Sequence, residues 1–275
     1  MPGTLYLVPT PIGNLGDISE RMAETMAKVD FIAAEDTRVT VKLLNHLDIK
    51  KPMVTYHRHN CDTAGQTILR RLLEGESCAL VTDAGTPAIS DPGEDLVALC
   101  AANDVTVIAI PGPCALITAL SISGLPTARF TFEGFLPMNK KNRRAHLDSL
   151  RKEERTMLFY EAPHKLTDTL DDFLAVFGGE RRISLCRELT KLHEEVLRTT
   201  LAEAVAYHKE KEPRGEYVLV LEGAQPEVVE ADPGAALARV EQLREQGMSL
   251  KDAAAQAAAE FGLKKRQLYD MAIGK

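Results

Sequence analysis

Apolar residues enter this chain in short unbroken runs: Leu5–Val8, Phe31–Ala34, Cys78–Val81 and Val105–Ile110. Runs that brief, without polar alternation, fit strands covered on both faces. Between them the apolar positions recur at helical spacing. Ile18, Met22, Met26 and Val29 predict one helix, with Asp17 as its cap. Leu43, Leu44 and Leu47 predict another, and Ile68, Leu69, Leu72 and Leu73 a third. A strand over Met53–Tyr56 and a helix over Cys114–Ser123 complete the series. Asp91-Pro92-Gly93-Glu94 reads as a helix start, with Asp91 at the N-cap, Pro92 at the first helical position and Glu94 as the capping-box acid. Strand and helix alternate throughout, which predicts an α/β fold built on a mostly parallel sheet.

Gly124-Leu125-Pro126 marks a change of rhythm. Strands are expected at Phe130–Leu136, Thr156–Tyr160, Ile183–Cys186, Glu195–Thr199 and Tyr217–Leu221, with helices over His164–Phe177 and Leu201–Lys209. Strands this closely spaced predict a mixed sheet in a second α/β domain. Residues 224–235, with Pro226, Pro233 and several acids, read as a linker. From residue 236 three short helices follow, carried by Leu237/Val240/Leu243, by Leu250/Ala254/Ala257/Phe261 and by Leu268/Met271. Gly262 ends the second of them and Lys264-Lys265-Arg266 starts the third, a helix-turn-helix shape that suits nucleic-acid binding or simple packing. The expected division is therefore 1–124, 125–223, linker 224–235 and tail 236–275.

Composition narrows the function. The chain has 275 residues, 45% hydrophobic and 27% charged, with a net charge of −7. A nucleic-acid partner must then be met by a local basic patch. Met138–Arg155 offers one, with seven cations against three acids. Its alternative reading is a solvated helix face with Leu147 and Leu150 turned inward. Five cysteines stand far apart without a C-x-x-C, so no metal site is expected and a reducing compartment is. No apolar run is long enough to span a membrane, and the N-terminus lacks a signal layout, so the expectation is cytoplasmic with no membrane partner. There is no G-x-G-x-x-G after a strand, no Walker sequence, no H-E-x-x-H and no G-x-S-x-G.

Four strand ends carry polar or Pro/Gly clusters: Pro9–Asn14, Glu35–Arg38, Asp83–Pro87 and Pro111–Pro113. In a parallel sheet such clusters meet at one edge, where ligands bind.

These clusters also carry a resemblance. Thr10–Leu15 (TPIGNL), Ala34–Arg38 (AEDTR), Asp83–Pro87 (DAGTP), Pro111–Pro113 (PGP), Phe132–Pro137 (FEGFLP), Tyr160–His164 (YEAPH) and Arg187–Lys191 (RELTK) closely resemble the ribosomal RNA small-subunit methyltransferase I family, within the tetrapyrrole methylase superfamily. The resemblance covers residues 3–223; Cys114 stands where many relatives carry Ser. It implies two α/β domains with S-adenosylmethionine in the cleft between them, and a homodimer. It also implies 2′-O-methylation of a cytidine in the decoding region of 16S ribosomal RNA; the assembled small subunit is the expected substrate, with free RNA left open.

On that footing, cofactor contacts are expected from Pro9, Asp83, Gly85, Thr86, Cys114 and Ala115 in the first domain, and from Tyr160, Glu161 and Ala162 in the second. Glu35, Asp36 and Lys191 are the candidate acid/base groups, with Glu161 and Glu188 next in line; each reads equally well as a structural ion pair or loop cap. RNA contact is expected at Arg38, Lys140, Lys141, Arg143 and Arg144. His57 and His59, flanking Arg58, read as solvated surface residues. Two other functions stay open: methylation of a tetrapyrrole or other small metabolite, and RNA binding in ribosome assembly without catalysis.

Overall fold

The computed structural model describes residues 1–225 and 232–274. Its contacts divide the chain into Met1–Ala224 and Gln225–Lys275. The expected linker falls largely on residues outside the described ones.

The first unit holds two five-stranded sheets. In the first, β1 (Thr4–Leu7), β2 (Phe31–Ala34), β3 (Met53–Thr55), β4 (Cys78–Val81) and β5 (Thr106–Ala109) run parallel in the order β3-β2-β4-β1-β5. β2 and β4 are buried at every position, as the unbroken apolar runs require. Helices α1 (Glu20–Lys28), α2 (Thr37–His46), α3 (Cys61–Leu73) and α4 (Glu94–Ala101) cover its faces. One face buries Phe31, Ile68, Leu72 and Leu96; the other buries Met22, Met26, Ile32 and Leu44.

The second sheet is mixed, in the order β6-β7-β10-β8-β9. It is built from β6 (Phe130–Phe135), β7 (Thr156–Glu161), β8 (Arg182–Arg187), β9 (Glu195–Thr200) and β10 (Tyr217–Leu221). Only β6 and β7 pair in parallel; the other three pairings are antiparallel. One face packs on α6 (Lys140–Ser149), α7 (Pro163–Phe177) and α8 (Leu201–Glu210) through Leu147, Leu170, Phe173 and Ala204. The opposite face packs on α5 (Ala115–Ile122), where Leu116, Ala119 and Leu120 meet Leu158, Cys186 and Val220. So α5 lies within residues 1–124 of the chain while its buried side belongs to the second sheet's core.

Two helix starts differ from the local signals. α1 is capped by Ser19, whose hydroxyl accepts from the Met22 N–H at 3.2 Å. Asp17 instead ends a short 3₁₀ turn, Leu15–Asp17, that Asn14 caps. α4 begins at Glu94 with Gly93 as N-cap (φ 151°), not at Pro92. A Cβ on Gly93 would lie 2.8 Å from Ala88 Cβ and 2.9 Å from Leu80 Cδ2. Close packing of the loop against β4 thus fixes where the helix begins and leaves Asp91 free of capping duty.

The second unit is three helices, α9 (Pro233–Glu245), α10 (Leu250–Glu260) and α11 (Lys265–Ala272), packed through Ala236, Val240, Leu243, Ala254, Ala257 and Leu268. No helix among the described residues is long and apolar enough to cross a membrane.

Candidate active site

The strand-end clusters of the first sheet do converge. Thr10 and Gly85 exchange backbone hydrogen bonds at 3.0 Å, joining the loops after β1 and β4. Thr86 Oγ1 donates to the Pro113 carbonyl at 2.8 Å, adding the loop after β5. The Asp36 N–H donates to Asp83 Oδ1 at 3.2 Å, adding the loop after β2. Gly85 adopts φ +87°, and a Cβ there would stand 3.3 Å from Ile12. Glycine is needed both for the backbone and for the close approach.

Above this edge, against the second sheet, lies a cavity of about 410 Å³. One wall is first-sheet loop: Gly85, Thr86, Asp91, Cys114 and Ala115. The other is second-sheet side chains, among them Tyr160, Glu161, Glu188, Lys191 and Glu216. α5 and α7 both start at the cavity, at Cys114 and Ala162, and neither start carries a side-chain cap. The first N–H groups of a helix, aided by its dipole, suit an anionic group. The acids lining the cavity outnumber its one lysine, which suits a cation. A zwitterion with a cationic sulfonium, S-adenosylmethionine, needs both, and the volume lies in the range of small-ligand pockets. The site fits the group.

The second wall is a pair of saturated networks. Glu161 is 5% exposed. Its Oε1 accepts from the Ala162 N–H at 2.9 Å and its Oε2 from the Thr169 hydroxyl. Thr169 Oγ1 in turn accepts from Arg143 Nη2 at 2.7 Å, and Arg143 Nε lies 2.5 Å from Asp172. Arg143, expected to contact RNA, is therefore spent inside the fold. It sits on the face of α6 turned toward α7, a placement that the count of cations could not reveal.

The other network bridges the walls. Lys191 Nζ lies 2.8 Å from both Glu188 Oε1 and Glu216 Oε2. A Cβ on Gly13 would lie 2.4 Å from Lys191 Cγ, so the lysine stem rests on the first-sheet loop. Glu188 (φ 51°) and Thr190 (φ 67°) both take left-handed backbone, uncommon outside glycine and concentrated at ligand sites.

The three acid/base candidates separate. Hydrogen bonds from Arg38 hold the Asp36 carboxyl at about 2, and Asp36 also caps α2. Burial opposes the charge of Lys191, but its hydrogen bonds to Glu188 and Glu216 outweigh this and hold it protonated above its ordinary range. Neither suits a proton acceptor. Burial, then the charges of Asp91 and Asp83, push the Glu35 carboxyl up. Glu35 does not line the cavity, but Asp91, coupled to it, does.

Other expected residues fall as follows. Gly85, Thr86, Cys114, Ala115, Tyr160, Glu161 and Ala162 line the cavity. Burial pushes the Tyr160 phenol to about 12, so it stays a neutral donor. Pro9 is buried and does not line the cavity; it lies 2.9 Å from where a Gly112 Cβ would stand. Asp83 faces α2 and a second, smaller cavity instead. Arg144 pairs with Asp148, whereas Lys140 and Lys141 are exposed with no ion pair among the described residues. Asp91 and Glu216 were not anticipated as lining residues. The first was read as a cap, and the second reaches the cavity only through the antiparallel placement of β10.

A parallel sheet and a mixed sheet flank one acidic cleft, and the match to known sequences makes this a methylase of the tetrapyrrole type. The Tetrapyrrole (Corrin/Porphyrin) Methylases profile matches residues 4–205. Among solved structures, the methyltransferase CobJ superposes with a TM-score of 0.59 at 14% identity, over 81% of this chain and 95% of that one. A uroporphyrin-III C-methyl transferase from Thermus thermophilus, complexed with S-adenyl homocysteine, gives 0.56 at 17%, over 80% and 97%. The ribosomal RNA small subunit methyltransferase I of Synechocystis sp. is 49% identical over 98% of both chains. That of Halalkalibacterium halodurans is 48% identical over 98% of this chain and 94% of its own. The chain belongs to the ribosomal RNA small subunit methyltransferase I family. Residues 230–275 match the RsmI C-terminal HTH domain.

Proposed function

We propose that this chain transfers a methyl group from S-adenosylmethionine to the 2′-hydroxyl of a cytidine in the decoding region of 16S ribosomal RNA, in the assembled small subunit. The observation that carries the reading is the acidic cleft between two uncapped helix starts, in a family whose named members act on small-subunit ribosomal RNA. Bound there, S-adenosylmethionine supplies an electrophilic methyl group on a sulfonium.

Gly85, Thr86, Cys114, Ala115, Tyr160, Glu161 and Ala162 hold it. The helix starts orient its carboxylate end, and the acids favour its positive charge. Glu161 is locked by Thr169 and Ala162, so its charge stays fixed while the reacting groups align. Glu35 takes the hydroxyl proton by way of Asp91, the member of its carboxylate group with Asp83 that lines the cavity; Asp36 positions α2 and Lys191 holds the two walls together. Lys140, Lys141, Arg144 and Arg38 meet RNA phosphates, as do Lys264, Lys265 and Arg266 of the tail. Exposed apolar side chains on the first unit, including Ile117, Phe135, Met138 and Leu192, support a homodimer. The compartment that fits such a substrate is the cytoplasm. Methylation of a small metabolite draws support from the profile over residues 4–205 and from fold neighbours of low identity, whereas the relatives of 48–49% identity are named for small-subunit ribosomal RNA.

The test is transfer of labelled methyl to small subunits lacking the modification, followed by alkaline hydrolysis and nucleotide mapping. A 2′-O-methyl group leaves an alkali-resistant linkage after one cytidine. Label on a base, or none on RNA, would overturn the reading.

A further inference from the structure

The loops that build the cofactor cavity also line a second one, of about 280 Å³, closed on its other side by α2. Pro11, Leu15, Val39 and Leu43 give it apolar walls, and Leu15 and Val39 are half exposed at 50% and 37%. Thr40, on the α2 wall, is 3% exposed, yet its Oγ1 has no hydrogen-bond partner among the described residues. That oxygen has almost no accessible surface, and a buried hydroxyl left unpaired costs free energy, so a polar group that displaces the half-exposed apolar cover to reach it regains that cost. Beside it stands Asp83. One carboxylate oxygen accepts from the Asp36 N–H; the other has no hydrogen bond among the described residues. Lys42 and His46 lie at the exposed rim and Arg38 one residue before the wall.

An apolar slot with one carboxylate acceptor and one buried hydroxyl matches the edge of a nucleobase that carries an exocyclic amino group next to an acceptor atom. Carboxylates accept from the cytosine amino group, whereas uracil offers a carbonyl there. Sequence-specific readers of RNA splay bases out of the stack to reach that edge. The cavity shares the 9–14 and 82–87 loops with the cofactor cavity, so one wall separates a base seated here from a methyl donor seated there.

We infer that this second cavity receives the base of the nucleotide being methylated, with Asp83 accepting from its amino group and Thr40 bonding its neighbouring edge. The inference rests on the ribose-methylation reading above and adds to it the residues that select cytidine.

Three variants test it: Thr40→Val, which keeps the shape and removes the hydroxyl; Thr40→Ser, which restores it; and Asp83→Asn, which keeps an oxygen for the Asp36 N–H but replaces the free acceptor by a donor. The substrates are small subunits reconstituted with cytidine or uridine at the mapped position. Thr40→Val should raise the subunit concentration for half-maximal rate by about tenfold, as for loss of one base-edge contact. Thr40→Ser should behave as the wild type. Asp83→Asn should shrink the preference for cytidine over uridine by about tenfold. S-Adenosylhomocysteine affinity, measured by calorimetry, should not change in any of them. If the wild type methylates subunits and both Thr40→Val and Asp83→Asn match it in concentration dependence and cytidine preference, the base pocket is overturned while the reaction stands. If the wild type transfers no methyl to the subunit RNA, the reaction reading falls and takes the pocket with it.

Discussion

The two walls of the cofactor cleft are made of different material. The first-sheet wall is backbone: glycines, prolines and helix starts held by three inter-loop contacts. The second-sheet wall is charged side chain, with carboxylates locked by Thr169, Arg143 and Lys191. Backbone walls give shape and directed donors, and they tolerate no added atoms. Side-chain walls give charge, and their cost is that every buried partner must be present.

The sharpest break should come from the backbone wall. Gly85→Val puts a β-branched residue at φ +87° against Ile12 and should abolish detectable S-adenosylmethionine binding by calorimetry. Retained affinity in a folded variant would mean that the loop does not touch the cofactor.

Next come the two adjacent acids on the same side. Glu35→Gln should slow single-turnover methyl transfer by about 10²-fold or more, the scale of a general base, whereas Asp36→Asn should mainly loosen α2. The stability sign offers a second reading. The Glu35 carboxyl is raised in the fold, so its contribution is favourable below its ordinary 4.5 and is lost as pH rises through the folded value. Glu35→Gln should therefore melt higher than the wild type at pH 7 and equal to it near pH 4. A slower enzyme that is also more stable would mark Glu35 as kept for chemistry.

The side-chain wall should answer differently. Thr169→Val removes one partner of a buried carboxylate and should cost about 1–3 kcal/mol in denaturant unfolding, with a smaller loss of cofactor affinity. Arg143→Ala should destabilise likewise and leave the salt dependence of RNA binding intact. Lys140→Ala with Lys141→Ala should reduce that slope by about 0.7–0.9 per lost phosphate contact. Equal salt slopes in the two cases would erase the distinction between them.

The smallest expected effect is the Lys191 bridge. Burial works against Glu188 ionising, but the Lys191 and Glu216 hydrogen bonds win and lower it, so its stabilisation is present above the ordinary 4.5 and lost as pH falls through the folded value. Lys191→Met should lower the melting temperature modestly at pH 7 and converge with the wild type near pH 3, flattening the loss between pH 5 and pH 3. An unchanged acid limb would show that the bridge adds nothing.

The same contrast explains what was legible beforehand. The first-sheet wall could be read because its information is local: an apolar run ending in Asp-Ala-Gly-Thr-Pro says strand, then close backbone. The second wall could not, because Glu161 meets Thr169 through the seating of α7, and Lys191 meets Glu216 through the antiparallel register of β10 and β8. Local signals also misled where packing overruled them. Asp-Pro-Gly-Glu is a sound capping sequence, yet Leu80 and Ala88 crowd Gly93 and push the helix start two residues on, freeing Asp91 for the cavity. Arg143 counted as one more surface cation until its helix was seen to turn it inward.

The placement of α5 has a consequence for anyone who would take the chain apart. A cut in the loop at Gly124 looks natural, since one sheet ends before it and the other begins after it. The amino-terminal piece would carry Leu116, Ala119 and Leu120 on a helix with nothing to cover them, and the carboxyl-terminal piece would show Leu158, Cys186 and Val220 bare to water. Neither fragment would be soluble alone, but mixed they should find each other. A split version of this protein severed at that loop would work as a complementation pair, its activity reporting whether the halves have met.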